Sequence, residues 1–121
     1  GGQAGPTTLL GQITTTTTQG RKAEINGYPI KISELLKEIE GVAYVARVTL
    51  DSPQAVMNAK RAIKKAFEAQ IKGIGTGFVE ILATCPTNWK MTPKQAHERV
   101  RGEMSEVFKP GVYKDKVSEA K

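Results

Sequence analysis

The sequence is poor in the side chains that most enzyme sites use, since its 121 residues include one cysteine, one histidine and one tryptophan. A single cysteine cannot form an internal disulfide, and it cannot by itself complete a four-cysteine metal or cluster site. No stretch approaches the ~18 apolar residues of a membrane span, and no charged start with an apolar run and cleavage site marks a secretory leader. These absences predict a soluble, cytoplasmic protein.

The overall composition is that of a single globular domain, with 39% hydrophobic and 25% charged residues. The net charge of +6 favours anionic partners in general. Lys60, Arg61, Lys64 and Lys65 nevertheless fit the solvated side of a helix better than a nucleic-acid surface, which would place aromatic side chains among them. We therefore expect no nucleic-acid partner and no membrane partner.

Residues 1–27 are rich in glycine and threonine and have no helical or alternating apolar pattern. A loop of this length is uncommon within a compact domain, so it indicates either a functional segment or an unanchored tail. Gly1-Gly2-Gln3 and Thr7-Thr8 could present backbone N–H and hydroxyl groups to a phosphate. Because no Walker or dinucleotide-binding motif accompanies them, the pattern alone leaves both interpretations open.

The rest of the chain, residues 28–113, alternates between helical and strand-like apolar patterns. The first predicted element is a helix that is capped by Ser33 and ends at Gly41. It is followed by a strand over 42–50, a helix over 53–72 and a strand over 78–82. The last predicted element is a helix that begins at a Thr92–Gln95 capping box. This order predicts an α/β fold with parallel strands. Two strands are too few for an independent sheet, so we expect part of a doubly wound parallel sheet. Residues 114–121 resemble a frayed, charged tail.

The long helix over 53–72 has an apolar stripe at helical spacing, which we expect to pack against the sheet. Lys60, Lys64 and Glu68 lie off this stripe. Its members are Val56, Ala59, Ile63, Ala66, Phe67 and Ile71.

The strand over 78–82 leads to the only cysteine, Cys85, in a loop that begins with a proline. Pro86 favours extended geometry at Cys85, which predicts a sulfur at the carboxyl end of the strand, where open α/β sheets bind ligands. The alternative is that Cys85 is a small buried apolar residue.

Four other side chains are weaker candidates, and their spacing identifies no catalytic residue. His97 lies at a helical position typical of a solvated histidine. Glu80 lies within an apolar strand, where a carboxylate faces a rim or pairs with a cation, and Arg47 marks a strand end or a polar contact. Trp89 either anchors its loop or lines a cofactor site.

Several short motifs lie along the chain: Gly1-Gly2-Gln3, Pro6-Thr7-Thr8, Gly11-Gln12 with Thr14-Thr15-Thr16, Tyr44-Val45-Ala46-Arg47, Gly77-Phe78-Val79-Glu80-Ile81-Leu82 and Cys85-Pro86-Thr87-Asn88-Trp89. Taken together, they resemble the β subunit of 2-oxoacid:ferredoxin oxidoreductases, in the version assigned to 2-oxoglutarate or 2-oxoisovalerate. The similarity runs from Gly1 to about Lys114 and implies the C-terminal half of a thiamine diphosphate-binding fold.

The resemblance implies oxidative decarboxylation of a 2-oxoacid to an acyl-CoA, with thiamine diphosphate, Mg²⁺, a [4Fe-4S] cluster and coenzyme A. Ferredoxin would receive the electrons, and an α subunit would be a partner, with γ and δ subunits as further candidates. Residues 1–27 would form a cofactor-side loop.

The same resemblance assigns roles to individual residues. It implies that Gly1, Gly2 and Gln3 bind the cofactor, with Thr7 and Thr8 nearby, and that Cys85 is the last of four cluster ligands. The Gly-Asp-Gly and Cys-x-x-Cys segments that normally lie upstream are absent from this sequence. We therefore expect the isolated chain to be inactive; the alternative is a non-catalytic α/β interaction module that retains the scaffold.

Overall fold

The computed structural model describes residues 4–120, whose centre is a three-stranded sheet in the order β2-β1-β3. Strands β1 (Val42–Thr49) and β2 (Thr76–Leu82) are parallel, whereas β3 (Gly111–Asp115) runs antiparallel on the other side of β1. The predicted α/β class with a partial parallel sheet is confirmed, and the third strand makes the sheet mixed.

Strand β1 is central because both of its faces are covered, as its nearly continuous apolar sequence predicts. Residues 42–48 are all buried. Helix α3 (Pro53–Ile71) crosses from β1 to β2, and it begins at Ser52, whose hydroxyl oxygen accepts the backbone N–H of Ala55 at 3.1 Å. The predicted cap and the predicted proline at the first helical position are therefore both present.

The buried face of α3 differs from the predicted stripe. Ala59, Ala62 and Ala69 are buried, whereas Phe67 is 64% exposed and Ile71 is 83% exposed. The reason is the close approach of the helix to β2, since a methyl group built on Gly77 would lie only 2.5 Å from the carbonyl oxygen of Ala66. Only small side chains fit between backbones at that separation, so alanines face the sheet and the large apolar side chains do not.

The C-terminal segment is paired with the sheet rather than frayed. Strand β3 pairs with β1, and the Asp115 carboxylate accepts the backbone N–H of Ser118 at 2.9 Å at the start of α7 (Lys116–Glu119). Lys65 of α3 also forms an ion pair with Asp115. The sequence did not predict β3 because five residues, only two of them large and apolar, give no strand pattern without their partner strand.

The remaining elements are short. Ser33 does not cap α2 (Ile32–Leu36) as predicted: Lys31 occupies the cap position, and Ser33 is buried inside the helix. The Thr92–Gln95 capping box is confirmed, and the last predicted helix is interrupted by a π-helical turn over residues 100–104. The short helices are α1 (Ala23–Asn26), α2 (Ile32–Leu36), α4 (Pro86–Trp89), α5 (Pro93–Arg99) and α6 (Ser105–Val107). No helix within residues 4–120 is both long enough and apolar enough to cross a membrane.

A second apolar cluster joins the N-terminal loop to the end of β2. Leu9 from the loop and Leu82 from β2 are both buried in it, and Trp89 packs against its edge. The other members come from the C-terminal helical region and are Val100, Met104 and Phe108. This cluster holds the glycine- and threonine-rich segment against the strand end that carries the cysteine loop.

Candidate functional site

The N-terminal loop is organised around Arg21, which is only 5% exposed. Its guanidinium donates to five backbone carbonyls at 2.6–3.4 Å, those of Gly5, Thr8, Asn26, Gly27 and Tyr28. A planar fork of five N–H groups matches such a set, which a lysine ammonium could not. These bonds favour an anchored loop over an unanchored tail. Nothing in the sequence distinguishes Arg21 from the exposed Lys22, so sequence reasoning missed it.

The same loop is tied to the cysteine loop through Asn88. The backbone N–H of Thr15 donates to the Asn88 carbonyl at 3.1 Å, and the Thr15 hydroxyl donates to the Asn88 side-chain oxygen. Two segments far apart in the sequence therefore meet at the carboxyl end of β2.

A cleft of about 350 Å³ lies between these two segments. Thr7, Thr8, Cys85 and Arg99 all line it, together with Gln12 and Asn88. Its volume is at the lower end of the range for small-molecule sites. The structure thus places three of the predicted site residues, Thr7, Thr8 and Cys85, in one concave surface. The predicted cofactor-binding residues Gly1, Gly2 and Gln3 lie outside the described residues.

Cys85 is exposed, and it follows the end of β2 at Leu82 and precedes α4. Its backbone has φ −134° and ψ 73°, outside the extended region, and its carbonyl accepts the backbone N–H of Trp89 at 3.0 Å. The predicted place after the strand is therefore present, whereas the predicted extended geometry at Cys85 is not, because the chain already turns into α4 there. An exposed thiol at a strand end can reach a ligand, so Cys85 is not a buried packing residue.

Arg99 supplies a positive charge to the cleft, a contribution that no motif indicated. Its guanidinium lies 6.0 Å from the centroid of the Trp89 ring and 2.8 Å from the Glu103 carboxylate, and its side chain is 13% exposed. Since Glu103 is 67% exposed, water screens that ion pair, and Arg99 can also interact with an anionic group in the cleft. Trp89 both anchors its loop and orients this charge, while His97 is exposed, as expected.

One wall of the cleft is held by a buried network centred on Arg47, whose side chain is fully buried. The parallel register pairs Arg47 of β1 with Glu80 of β2, and the Arg47 Nε donates to the Glu80 carboxylate at 2.8 Å. Ser33 donates to the same carboxylate oxygen at 2.6 Å. Glu80 therefore pairs with a cation while lining the cleft, and Arg47 makes a polar contact within the strand rather than marking its end.

The guanidinium of Arg47 also binds the Glu34 carboxylate through two nitrogens, at 2.9 and 2.5 Å. Its carbon lies 5.3 Å from the ring centroid of Phe108 and 5.1 Å from that of Tyr113. One side chain thus connects β1, β2, β3 and α2.

The ion pair with Arg47 makes the stability of the fold depend on pH. The hydrogen bonds from Arg47 hold the pKa of Glu34 below its ordinary value of 4.5. Because the folded-state pKa is the lower one, this stabilisation is fully present above about pH 4.5 and is lost as the pH falls through the lowered value. We expect the free energy of unfolding, measured by urea titration from pH 6 to pH 3, to decrease over that range. Glu34→Gln should make the free energy of unfolding depend less on pH, whereas Glu38→Gln, at an exposed carboxylate, should not. An equal pH dependence in the wild type and in both variants would contradict this account.

The residues of the cleft fit only part of an iron–sulfur or thiamine diphosphate site. Cys85 can supply one thiolate, and a [4Fe-4S] cluster with four would need three from residues outside this chain. Residues 4–120 contain no group of three or more His, Cys, Asp or Glu side chains placed to hold a metal ion. The hydroxyls of Thr7 and Thr8 and the charge of Arg99 do suit an anionic group such as a diphosphate.

Comparison with known proteins finds relatives among 2-oxoacid oxidoreductases, although no family model matches the chain and no solved structure is significantly similar. The chain is 40% identical over 119 residues to the ketoisovalerate oxidoreductase subunit VorA of Methanothermobacter marburgensis, and 39% identical to that of Methanothermobacter thermautotrophicus. Each match covers 98% of this chain and 25% of the relative. The pyruvate synthase subunit PorB of Pyrococcus furiosus is 31% identical over 99 residues, which is 82% of this chain and 28% of the relative.

The chain therefore spans about a quarter of the length of the curated relatives that it matches. The similar proteins are named for ketoisovalerate and for pyruvate, which are both 2-oxoacids. The chain is similar, over nearly its whole length, to one segment of subunits named for ketoisovalerate oxidoreductase.

Proposed function

We propose that this chain is the part of a 2-oxoacid:ferredoxin oxidoreductase β subunit that brings one cluster thiolate, Cys85, beside thiamine diphosphate. The observation that carries the proposal is the shared cleft, in which Cys85 lies together with Thr7 and Thr8. The similarity to VorA and PorB over most of the chain supports the same assignment.

The type of subunit is part of this proposal. The names of the relatives do not decide it, because two are called subunit VorA and one is called subunit PorB. Assignment to the β type rests on the glycine–glycine–glutamine start and the cysteine–proline loop, which resemble that subunit.

In the proposed reaction a 2-oxoacid is decarboxylated and oxidised, its acyl group passes to coenzyme A, and two electrons pass to ferredoxin. Thiamine diphosphate, when bound, supplies the carbanion chemistry. The roles of this chain are binding and orientation: Thr7 and Thr8 offer hydroxyls, Arg99 offers charge for the diphosphate or for the substrate carboxylate, and Gly1, Gly2 and Gln3 continue the cofactor-binding segment. Most Mg²⁺ ligands and three cluster thiolates come from residues outside the chain. The reaction also requires an α-subunit partner, so the isolated chain is inactive.

The proposal is tested by Cys85→Ser in the complete oxidoreductase. We expect the iron of one cluster to be lost and 2-oxoacid-dependent ferredoxin reduction to fall to background, because a serine hydroxyl is a poor substitute for a thiolate ligand of iron. Iron content is measured chemically and by the visible absorbance of the cluster.

The matched control is Thr87→Ser, at an exposed position two residues away that does not line the cleft. It should keep both iron and turnover. Unchanged iron in the Cys85→Ser complex would remove Cys85 from the cluster, and unchanged turnover as well would favour the non-catalytic interaction module.

A further inference from the structure

A second cleft, which we call the α3–β3 groove, lies between helix α3 and strand β3 and has a volume of about 410 Å³. Ala46 and Val48 of the central strand β1 line it, together with Ala62 of α3 and Val112 of β3. It shares no lining residue with the cleft at Cys85. The site proposed above therefore does not account for this groove.

The groove follows from the position of α3 on the sheet. The absence of a side chain at Gly77 lets the backbone of α3 approach β2 closely, and the helix packs on β1 and β2. Lys65 and Asp115 join α3 to β3 through an ion pair, but the start of β3 is left uncovered. Val112 is 61% exposed there, and a methyl group built on Gly111 would meet no atom within 4 Å. The fold thus leaves open space between the helix and the first residues of β3.

The interior of the groove is apolar. Ala46, Val48 and Ala62 belong to the main core cluster of the domain, and Val112 adds an exposed isopropyl group on the opposite wall. A volume of about 410 Å³ lies within the range of small-molecule sites. Because burying apolar surface is favourable, these walls favour the hydrocarbon part of a ligand.

The rim of the groove carries one positive charge that is free to bind a ligand. Arg61 lines the groove, is exposed and has no ion-pair partner among residues 4–120. The other two cations of the lining are already paired, Lys65 with Asp115 and Arg47 with two carboxylates. Asn58, one turn before Arg61 on α3, adds an amide donor. A guanidinium fork beside one amide matches the two oxygens of a single carboxylate.

We propose that the α3–β3 groove binds an aliphatic monocarboxylate, with its hydrocarbon chain against Ala46, Val48 and Val112 and its carboxylate at Arg61. A phosphate monoester carries about 1.5 to 2 negative charges at neutral pH, and the described part of the lining has no second free cation to balance them. A cationic ligand would place a like charge beside Arg61. This inference goes beyond the proposed function, because it assigns a ligand to a surface that the proposed reaction does not use.

The site is tested by photoaffinity labelling of the intact oxidoreductase with an octanoate analogue that carries a diazirine on its chain. We expect adducts in peptides that contain residues 44–49, 55–65 or 110–112, and we expect octanoate to compete for this labelling. Octan-1-ol has the same chain without the charge, so it should compete at least roughly tenfold less well, since it lacks a charge-assisted hydrogen bond. Adducts only outside these peptides, or equal competition by the acid and the alcohol, would overturn the proposal.

Two substitutions at exposed positions test the named side chains. Arg61→Ala should raise the octanoate concentration that halves labelling roughly tenfold, because the same charge-assisted bond is lost. The matched control is Lys60→Ala, which removes an adjacent exposed cation that does not line the groove and should leave that concentration unchanged. Val112→Asp should abolish labelling of the groove, since it places a carboxylate on the apolar wall. Equal effects of Arg61→Ala and Lys60→Ala would show a response to net charge alone and refute the site.

The two proposals fail separately. Arg61→Ala should keep the iron of the oxidoreductase, whereas Cys85→Ser should lose iron without changing the competition by octanoate. A complex that is labelled in the groove as expected but retains its iron after Cys85→Ser would refute the role of Cys85 and leave the carboxylate site standing.

Discussion

Replacing Arg47 with methionine is expected to lower the free energy of unfolding by about 3–5 kcal/mol, because removing the cation leaves two partly buried carboxylates uncompensated. The side chain is fully buried and interacts with Glu34 and Glu80, of which Glu80 is itself 11% exposed. Methionine fills similar space without a charge, so the expected loss is electrostatic rather than a cavity effect. Urea unfolding at neutral pH measures it.

The matched control removes the charges together with the guanidinium. Adding Glu34→Gln and Glu80→Gln to Arg47→Met should recover part of the lost stability, since no unpaired charge is then buried. Arg47→Lys should lie between the wild type and Arg47→Met, because a lysine keeps the charge but cannot make the bidentate contact with Glu34. A loss below about 1 kcal/mol in Arg47→Met, the scale of a surface ion pair, would show that the network adds little to stability.

Replacing Arg21 with alanine is expected to open the N-terminal loop while the sheet stays folded. The guanidinium donates to five carbonyls of that loop, and a hydrogen bond to a charged group contributes about 1.5–3 kcal/mol. Because water replaces some of these bonds after the substitution, we expect local opening to become easier by about 3 kcal/mol, or roughly 100-fold in hydrogen exchange. The exchange should accelerate in residues 5–28 and remain slow in β1.

The adjacent residue, Lys22, provides a neighbouring cation for comparison with Arg21. Lys22→Ala, at an exposed position, should leave loop exchange unchanged. If Arg21→Ala accelerated exchange in β1 as much as in the loop, the arginine would stabilise the whole domain and not only the cleft wall. Under the proposed function, loss of the loop in the complete oxidoreductase should also weaken thiamine diphosphate binding, since Thr7 and Thr8 lose their fixed positions.

Local sequence signals predicted the elements whose ends are set by neighbouring residues. Ser52, Pro53 and the Thr92–Gln95 pair act within one turn of a helix, so they indicated the starts of α3 and α5. Cys85 belongs to the same class, because a strand pattern followed by Pro86 determines where the chain stops being extended. Its place at the carboxyl end of β2 was therefore predictable.

The wrong predictions concern elements whose position depends on contacts with residues that are distant in the sequence. Strand β3 depends on pairing with β1, and the orientation of α3 depends on its close contact with Gly77, so neither follows from spacing. Periodicity identifies an apolar stripe but not whether the stripe meets the sheet or another surface.

By itself, the sequence determined the α/β order, the starts of α3 and α5 and the position of Cys85 just after a strand, because these depend on backbone preferences over a few residues. Only the tertiary structure decided which arginines are buried, which face of α3 meets the sheet, and that Thr7, Thr8 and Cys85 share a cleft. Burial and long-range hydrogen bonds are properties of the packed chain. The residues that contact a side chain in the fold cannot be read from the residues next to it in the sequence.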